Sequence, residues 1–212
     1  MELSIIQKIV IYALPVIFAI TVHEAAHGYV AKYFGDMTAF NAGRISLNPL
    51  RHIDPFGTIL LPALTIMLGG ILFGWAKPVP VDFSRLRNPK KDMLWVAAAG
   101  PASNFFMAIF WALVMKYAVI APDAIAYPLA LMAKAGVSIN IVLMVLNLLP
   151  LPPLDGGRIA VSLLPIHLAR QFAQIERYGF FILIALLFSG VLNFILDPFI
   201  NAVYQLIFSL IA

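Results

Sequence analysis

The 212-residue sequence contains no cysteine, so disulfides, thiolate metal ligands and cysteine nucleophiles are all excluded. Charge is almost as scarce. Asp, Glu, Lys and Arg make up 11% of the chain, against about a quarter in ordinary soluble domains. With 62% of residues hydrophobic, too little charge remains to cover a water-soluble globule. Internal repeats and low-complexity linkers are absent as well. The net charge of +4, from 14 Lys and Arg against 10 acids, fits cytoplasmic loops better than a nucleic-acid surface.

What is present is a succession of apolar runs, several at or near the roughly 20 residues that a helix needs to cross a bilayer. They cover about 5–30, 55–75, 93–119, 127–149 and 178–212. The first does not read as a cleaved leader, because it continues straight into a polar motif that cleavage would destroy. Pro15 predicts a kink or local break within it. Gly43-Arg44-Ile45-Ser46-Leu47-Asn48-Pro49 reads as a short strand entering a turn. Ala76-Lys77-Pro78-Val79-Pro80-Val81-Asp82 reads as extended, since each proline biases its predecessor away from helix.

Lys32, Arg44 and Arg51 precede the run 55–75, and Lys77, Arg85, Arg87, Lys90 and Lys91 follow it. The positive-inside tendency then makes that run re-entrant, bending at Gly69-Gly70 and leaving on the side it entered. The loop around 121–127 has no Lys or Arg and falls on the opposite side. The last run, divided by Asp197-Pro198, reads as one long kinked helix or two shorter pieces. The expected fold is an all-α polytopic membrane protein, a helical bundle with short extended or β segments and a re-entrant segment. It forms one domain over 1–212, with a core of about 3–160 and C-terminal helices over 161–212.

Inside the first apolar run stands His23-Glu24-Ala25-Ala26-His27. Histidines four apart project from one helix face, so both imidazoles can reach one metal ion. Glu24 sits beside that face, placed to act on a water molecule rather than to ligate. Three ionisable groups within lipid-spanning sequence are expensive, which makes a functional reading the default. A catalytic zinc site needs three protein ligands and an open position. Asp54, Asp155, His52 and His167 are the candidates for the third. Asp155 is the strongest, because it follows an apolar span at a Pro-rich break and precedes Gly156-Gly157. A non-helical backbone at membrane depth is tolerated only where it lines a cavity or is buried in protein. The plainer reading of Asp155 is a helix cap. Asn147 is a candidate amide for the substrate or oxyanion, and Asn104 stands beside it in that role. Both also suit plain interhelical hydrogen bonding.

Together, His23-Glu24-Ala25-Ala26-His27, Gly100-Pro101-Ala102-Ser103-Asn104 and Asn147-x-x-Pro150-x-x-x-x-Asp155-Gly156 resemble the site-2 protease family of intramembrane zinc metalloproteases. The resemblance covers about residues 3–160. It implies one Zn2+ per chain held by His23, His27 and Asp155, with Glu24 as catalytic base and Asn147 holding substrate or oxyanion. It implies cleavage of transmembrane or membrane-proximal segments of other membrane proteins, in a prokaryotic cell membrane, with the site toward the cytoplasm. Many members carry an added PDZ domain or CBS pair, and neither fits in this length. A helical substrate hides its carbonyls in its own hydrogen bonds, so the extended pieces 43–47 and 76–81 are expected to pair with an unwound substrate by strand addition. The competing class is a non-enzymatic transporter or channel with an intramembrane metal or proton site.

Overall fold

The computed structural model describes residues 4–60 and 76–211. The expected bend at Gly69-Gly70, and most of the run proposed to re-enter the membrane, lie outside the described residues. Eight α-helices are described: α1 (Ile5–Tyr33), α2 (Thr38–Asn41), α3 (Pro89–Tyr117), α4 (Asp123–Asn147), α5 (Asp155–Leu163), α6 (Ile166–Ala173), α7 (Glu176–Phe188) and α8 (Val191–Ile211). Four of them contain stretches long and apolar enough to cross a membrane: Val10–Tyr33, Pro89–Ile120, Asp123–Asn147 and Val191–Ile211. Helices α6 and α7, bent by 59° at a short break, together form a further apolar pair.

The all-α, membrane-spanning expectation therefore holds, but the β element does not. No strand occurs among the described residues. Residues 76–82 form an extended strap, as their prolines require, yet they pair with no strand among the described residues. Residues 44–46, between a turn at Gly43 and a bend at Leu47, join no ladder among the described residues. Helix α1 continues as one element through Pro15. It opens with a capping box, the Ser4 hydroxyl accepting from the Gln7 N–H and the Gln7 side chain accepting from the Ser4 N–H.

Helix α3 is the hub. It packs against α1, α4, α5 and α8, and α1 also packs against α4. Small residues make these approaches close. Ala97, Ala108, Ala112 and Ala133 are buried at the crossings. A side chain at Gly136 of α4 would run into the Trp111 ring of α3. The outward faces carry large apolar side chains such as Phe106, Phe110 and Phe194, which suits lipid rather than water.

The Pro-rich turn after α4 is clasped from two sides. Gly156 and Gly157, opening α5, sit where a Cβ would strike the backbone of Leu148 and Pro152. Gly179 of α7 presses on the Pro152 carbonyl, again with no room for a Cβ. Both helices thus fix the turn that leads into Asp155. Overpacking such a contact costs about 1–3 kcal/mol. Gly179→Val should accordingly lower the thermal unfolding midpoint of the detergent-solubilised protein; an unchanged midpoint would mean that α7 does not clamp the turn.

Candidate metal centre and its cavity

One helical turn separates His23 and His27 on α1, and their Nε2 atoms lie 3.0 Å apart. Asp155, the first residue of α5, brings its Oδ2 to 3.2 Å from the His23 Nε2 and 3.3 Å from the His27 Nε2. All three potential ligand atoms fall within 4.8 Å of one another. The two histidines are buried and Asp155 nearly so. No side chain caps the start of α5, so the Asp155 carboxylate is not spent on its own helix.

The far sides of both imidazoles are committed. The His27 Nδ1 lies 2.7 Å from the Val96 carbonyl, which can only accept, so Nδ1 carries the proton. The His23 Nδ1 lies 2.6 Å from the Asn104 Oδ1. A chain of donors sets which way that amide faces. The Gly136 carbonyl accepts from the Asn140 Nδ2 at 2.8 Å, which turns the Asn140 Oδ1 outward. That oxygen accepts from the Asn104 Nδ2 at 2.9 Å, leaving the Asn104 Oδ1 for the His23 Nδ1–H. Both Nε2 lone pairs are therefore presented to the common centre, as outer hydrogen bonds do for metal-bound histidine.

Three observations test whether a metal fits. The Asp155 Oδ2 is a buried acceptor with no hydrogen-bond partner, although it lies near both imidazoles. Its neighbours aim lone pairs at the same point rather than protons at the oxygen. Gly100 of α3 forms the floor, where a Cβ would sit 2.5 Å from the His23 Nε2 and closer still to that of His27. Two imidazoles and a carboxylate with a free fourth direction make a ligand set suited to catalytic zinc. The residues fit the ion.

The other candidate third ligands lie elsewhere. His52 is buried with its Nε2 2.8 Å from the Ser46 carbonyl. Asp54 accepts from the Phe56 and Gly57 backbone N–H groups. His167 is exposed on α6. Asn147 stands on the cavity wall, its Nδ2 donating to the Leu143 carbonyl one turn back. Asn104 does not join it there. It is fully buried behind His23, its Oδ1 on the imidazole and its Nδ2 donating to Asn140, so neither end faces the cavity.

A cavity of about 610 Å³ opens beside the three ligand groups and takes in Glu24, Asn147, Val79 and the Arg158–Glu176 ion pair, 2.9 Å long. The extended strap crosses it. The Val79 N–H donates to the Glu24 Oε2 at 2.7 Å, holding the carboxylate on the cavity side of α1. Three anchors fix the strap. The Lys77 N–H donates to the His52 carbonyl at 2.9 Å, Arg44 donates to the Lys77 carbonyl at 3.0 Å, and the Asp82 N–H donates to the buried Asp36 carboxylate at 2.7 Å. Asp82 itself is only half-buried, and hydrogen bonds from the Ser84 hydroxyl and backbone N–H hold its carboxyl below the usual range. Gly28 leaves room for the Val79 side chain against α1.

Asn140, the Gly100 floor, the Val96 carbonyl and the strap bond to Glu24 were not singled out from sequence. Asn140 had a signal: it lies seven residues before Asn147, the spacing of two helical turns on one face. The strap bond had none, because it joins residues 55 apart through a backbone group.

Residues 117–190 match the sequence family described as Peptidase family M50. The chain is 40% identical over 190 residues to "Putative zinc metalloprotease YwhC" of Bacillus subtilis, covering 88% of this chain and 84% of that protein. It is 32% identical over 183 residues to "Putative zinc metalloprotease Rip2" of Mycolicibacterium smegmatis, covering 84% of this chain and 66% of that protein. No solved structure matches it significantly. The resemblance carried by the three motifs and the similarity to these relatives agree: the chain belongs to peptidase family M50.

Proposed function

We infer that the protein is a zinc-dependent intramembrane endopeptidase that hydrolyses peptide bonds within or near transmembrane segments of other membrane proteins. The observation that carries this reading is the convergence of the His23, His27 and Asp155 ligand atoms beside Glu24, inside a bundle of membrane-spanning helices. His23, His27 and Asp155 hold the ion and Glu24 is the base. Zinc in this seat supplies a Lewis acid that acidifies water and polarises the substrate carbonyl.

The remaining work belongs to the chain's own groups. Glu24 takes a proton from the attacking water onto its carboxylate as the oxygen bonds to the carbonyl carbon. It then passes that proton to the amine nitrogen as the C–N bond breaks. For this, the carboxylate must exchange the Val79 N–H for the water, a local change at one hydrogen bond. The Asn147 amide, on the same cavity wall, is the donor for the developing oxyanion once it turns from the Leu143 carbonyl. Asn104 is a positioning residue: it acts on the reaction through the tautomer and orientation of His23. Residues 1–212 act as one protease domain, with 3–160 as its catalytic core and the helices of 161–212 as its C-terminal part.

The cavity opens toward the cytoplasm in this reading. The Lys and Arg of 32–91 cluster at the end of α1 that follows the site, whereas the turn over 118–127 at the other end of α3 has none. The bacterial and mycobacterial relatives support a prokaryotic cell membrane. The relatives reported above are named as metalloproteases, and nothing in them favours a transporter.

The purified protein should hold about one zinc per chain, absent from His23→Ala and Asp155→Ala and kept by Glu24→Gln. Glu24→Gln should lower cleavage of a transmembrane substrate by about 10²-fold or more, as loss of a general base does. Cleavage that survives Glu24→Gln would sink the assignment. Asn104→Leu should weaken zinc about 10–100-fold in a chelator competition while leaving the helical circular dichroism intact. Gly100→Ala should also bind zinc more weakly, since its methyl enters the seat; wild-type affinity in that variant would place the ion elsewhere.

A further inference from the structure

Helix α8 carries a feature that the protease reading does not use. Asn193, Asp197, Asn201 and Gln205 stand four apart and are all exposed. On a helix such residues form one slowly winding ridge. The residues of α8 that pack most deeply, Leu192, Leu196 and Ile207, lie on another side of the helix. Among the described residues none of the four ridge side chains has a hydrogen-bond partner. Pro198 adds to the ridge, because it lacks the N–H that would close on the Phe194 carbonyl. On a membrane-spanning helix, an outward row of amides and a carboxylate has nothing to bond to in lipid.

Helix α4 carries the complementary charge. Lys134 is exposed in the middle of its span, one turn before the exposed Ser138, and has no ion-pair partner among the described residues. Depth can be compared through the helix ends. The Lys116 ammonium, at the end of α3, donates to the Ile211 carbonyl at the end of α8, and α4 begins just after the turn that follows α3. From that shared end, Lys134 lies about 17 Å into its helix and Asp197 about 21 Å, at 1.5 Å per residue. Lys134 lies near the middle of a hydrocarbon core roughly 30 Å thick, too deep to snorkel out, and Asp197 stands about 9 Å from the other end of α8. They also lie within about one helical turn of the same depth.

We propose that the α8 ridge and the exposed face of α4 form a docking surface for a second copy of this chain, with Asp197 of each copy paired to Lys134 of the other. Identical chains in one membrane share an orientation, so a two-fold axis between them runs along the membrane normal. Such an axis preserves depth, so two residues can pair across it only if they lie at matching depths, as these do. Helices α4 and α8 are neighbours in the bundle, so one rotation sets α8 of each copy against α4 of the other. A partner of another kind would have to supply both a base and an acid at this level. A second copy supplies both.

The absence of cysteine makes the test direct. Asn193→Cys with Ser138→Cys, one turn deeper than Asp197 and Lys134 on the two faces that meet, should form a disulfide-linked species at twice the 23.3 kDa chain mass when native membranes are oxidised. Adding Asp197→Lys, or separately Lys134→Asp, should lower its yield about ten-fold, and Asp197→Asn should lower it less. Two differently tagged chains, one with Asp197→Lys and one with Lys134→Asp, should restore it as a mixed dimer when expressed together, because each then meets its opposite charge. Rescue in trans excludes a purely internal role for the two residues and a simple loss of folding. The proposal is overturned if no dimer forms, if the dimer ignores charge reversal, if the mixed pair is not restored, or if the cysteines link only to a species of another mass.

Discussion

Lipid accepts no hydrogen bonds, and that one fact governs how the reactive residues of this protein are held. Every polar group at the metal seat is either turned toward the common centre or tied to a neighbour behind it. The chain from the Gly136 carbonyl through Asn140 and Asn104 to His23 is the clearest case. Each amide has one orientation because the group behind it can only accept. A low dielectric makes such fully satisfied networks stiff and makes any gap in them costly. Histidine geometry at the site is thereby set by residues on two other helices, and α3 becomes the hub because it carries Gly100, Asn104 and the Val96 carbonyl together.

The extended strap solves a different problem with the same economy. A backbone outside helix has free N–H and C=O groups that need partners at depth. Here Lys77, Val79 and Asp82 donate to His52, Glu24 and Asp36 in turn. The strap is thus stitched across the cavity by its own backbone, and one of the stitches ends on the residue assigned as base. Access to Glu24 and the position of the strap are the same variable.

Much of the site could be read in the sequence because its chemistry is periodic or sits at a break. His23, Glu24 and His27 announce themselves by helical spacing in an apolar run. Asp155 stands out because Pro150 to Pro153 and Gly156-Gly157 interrupt that kind of run. Helices α1, α3 and α4 follow from hydropathy. The rest depends on tertiary approach. Asn104 belongs to a recognisable motif, yet its place behind His23 follows from how α1 and α3 cross. The residues over 43–47 have strand-like composition but no strand to pair with among the described residues, and a strand is a property of two segments, not one. Asp197-Pro198 reads as a dividing point, but α8 carries through it as one element.

Gly100 has a consequence beyond the space it leaves. It lies where α3 comes closest to the histidine face of α1, so the distance between two helices is also the depth of the metal seat. An ion bound there touches α1 directly and, through Asp155, the helix that follows the Pro-rich turn. It is then a tertiary contact as much as a reagent. By mass action, whatever binds the assembled bundle and not the separated helices stabilises the bundle. Conversely, anything that spreads α1 from α3 loosens the grip on the ion. A single hydrogen in place of a side chain thus ties the packing of two helices to the binding of a metal.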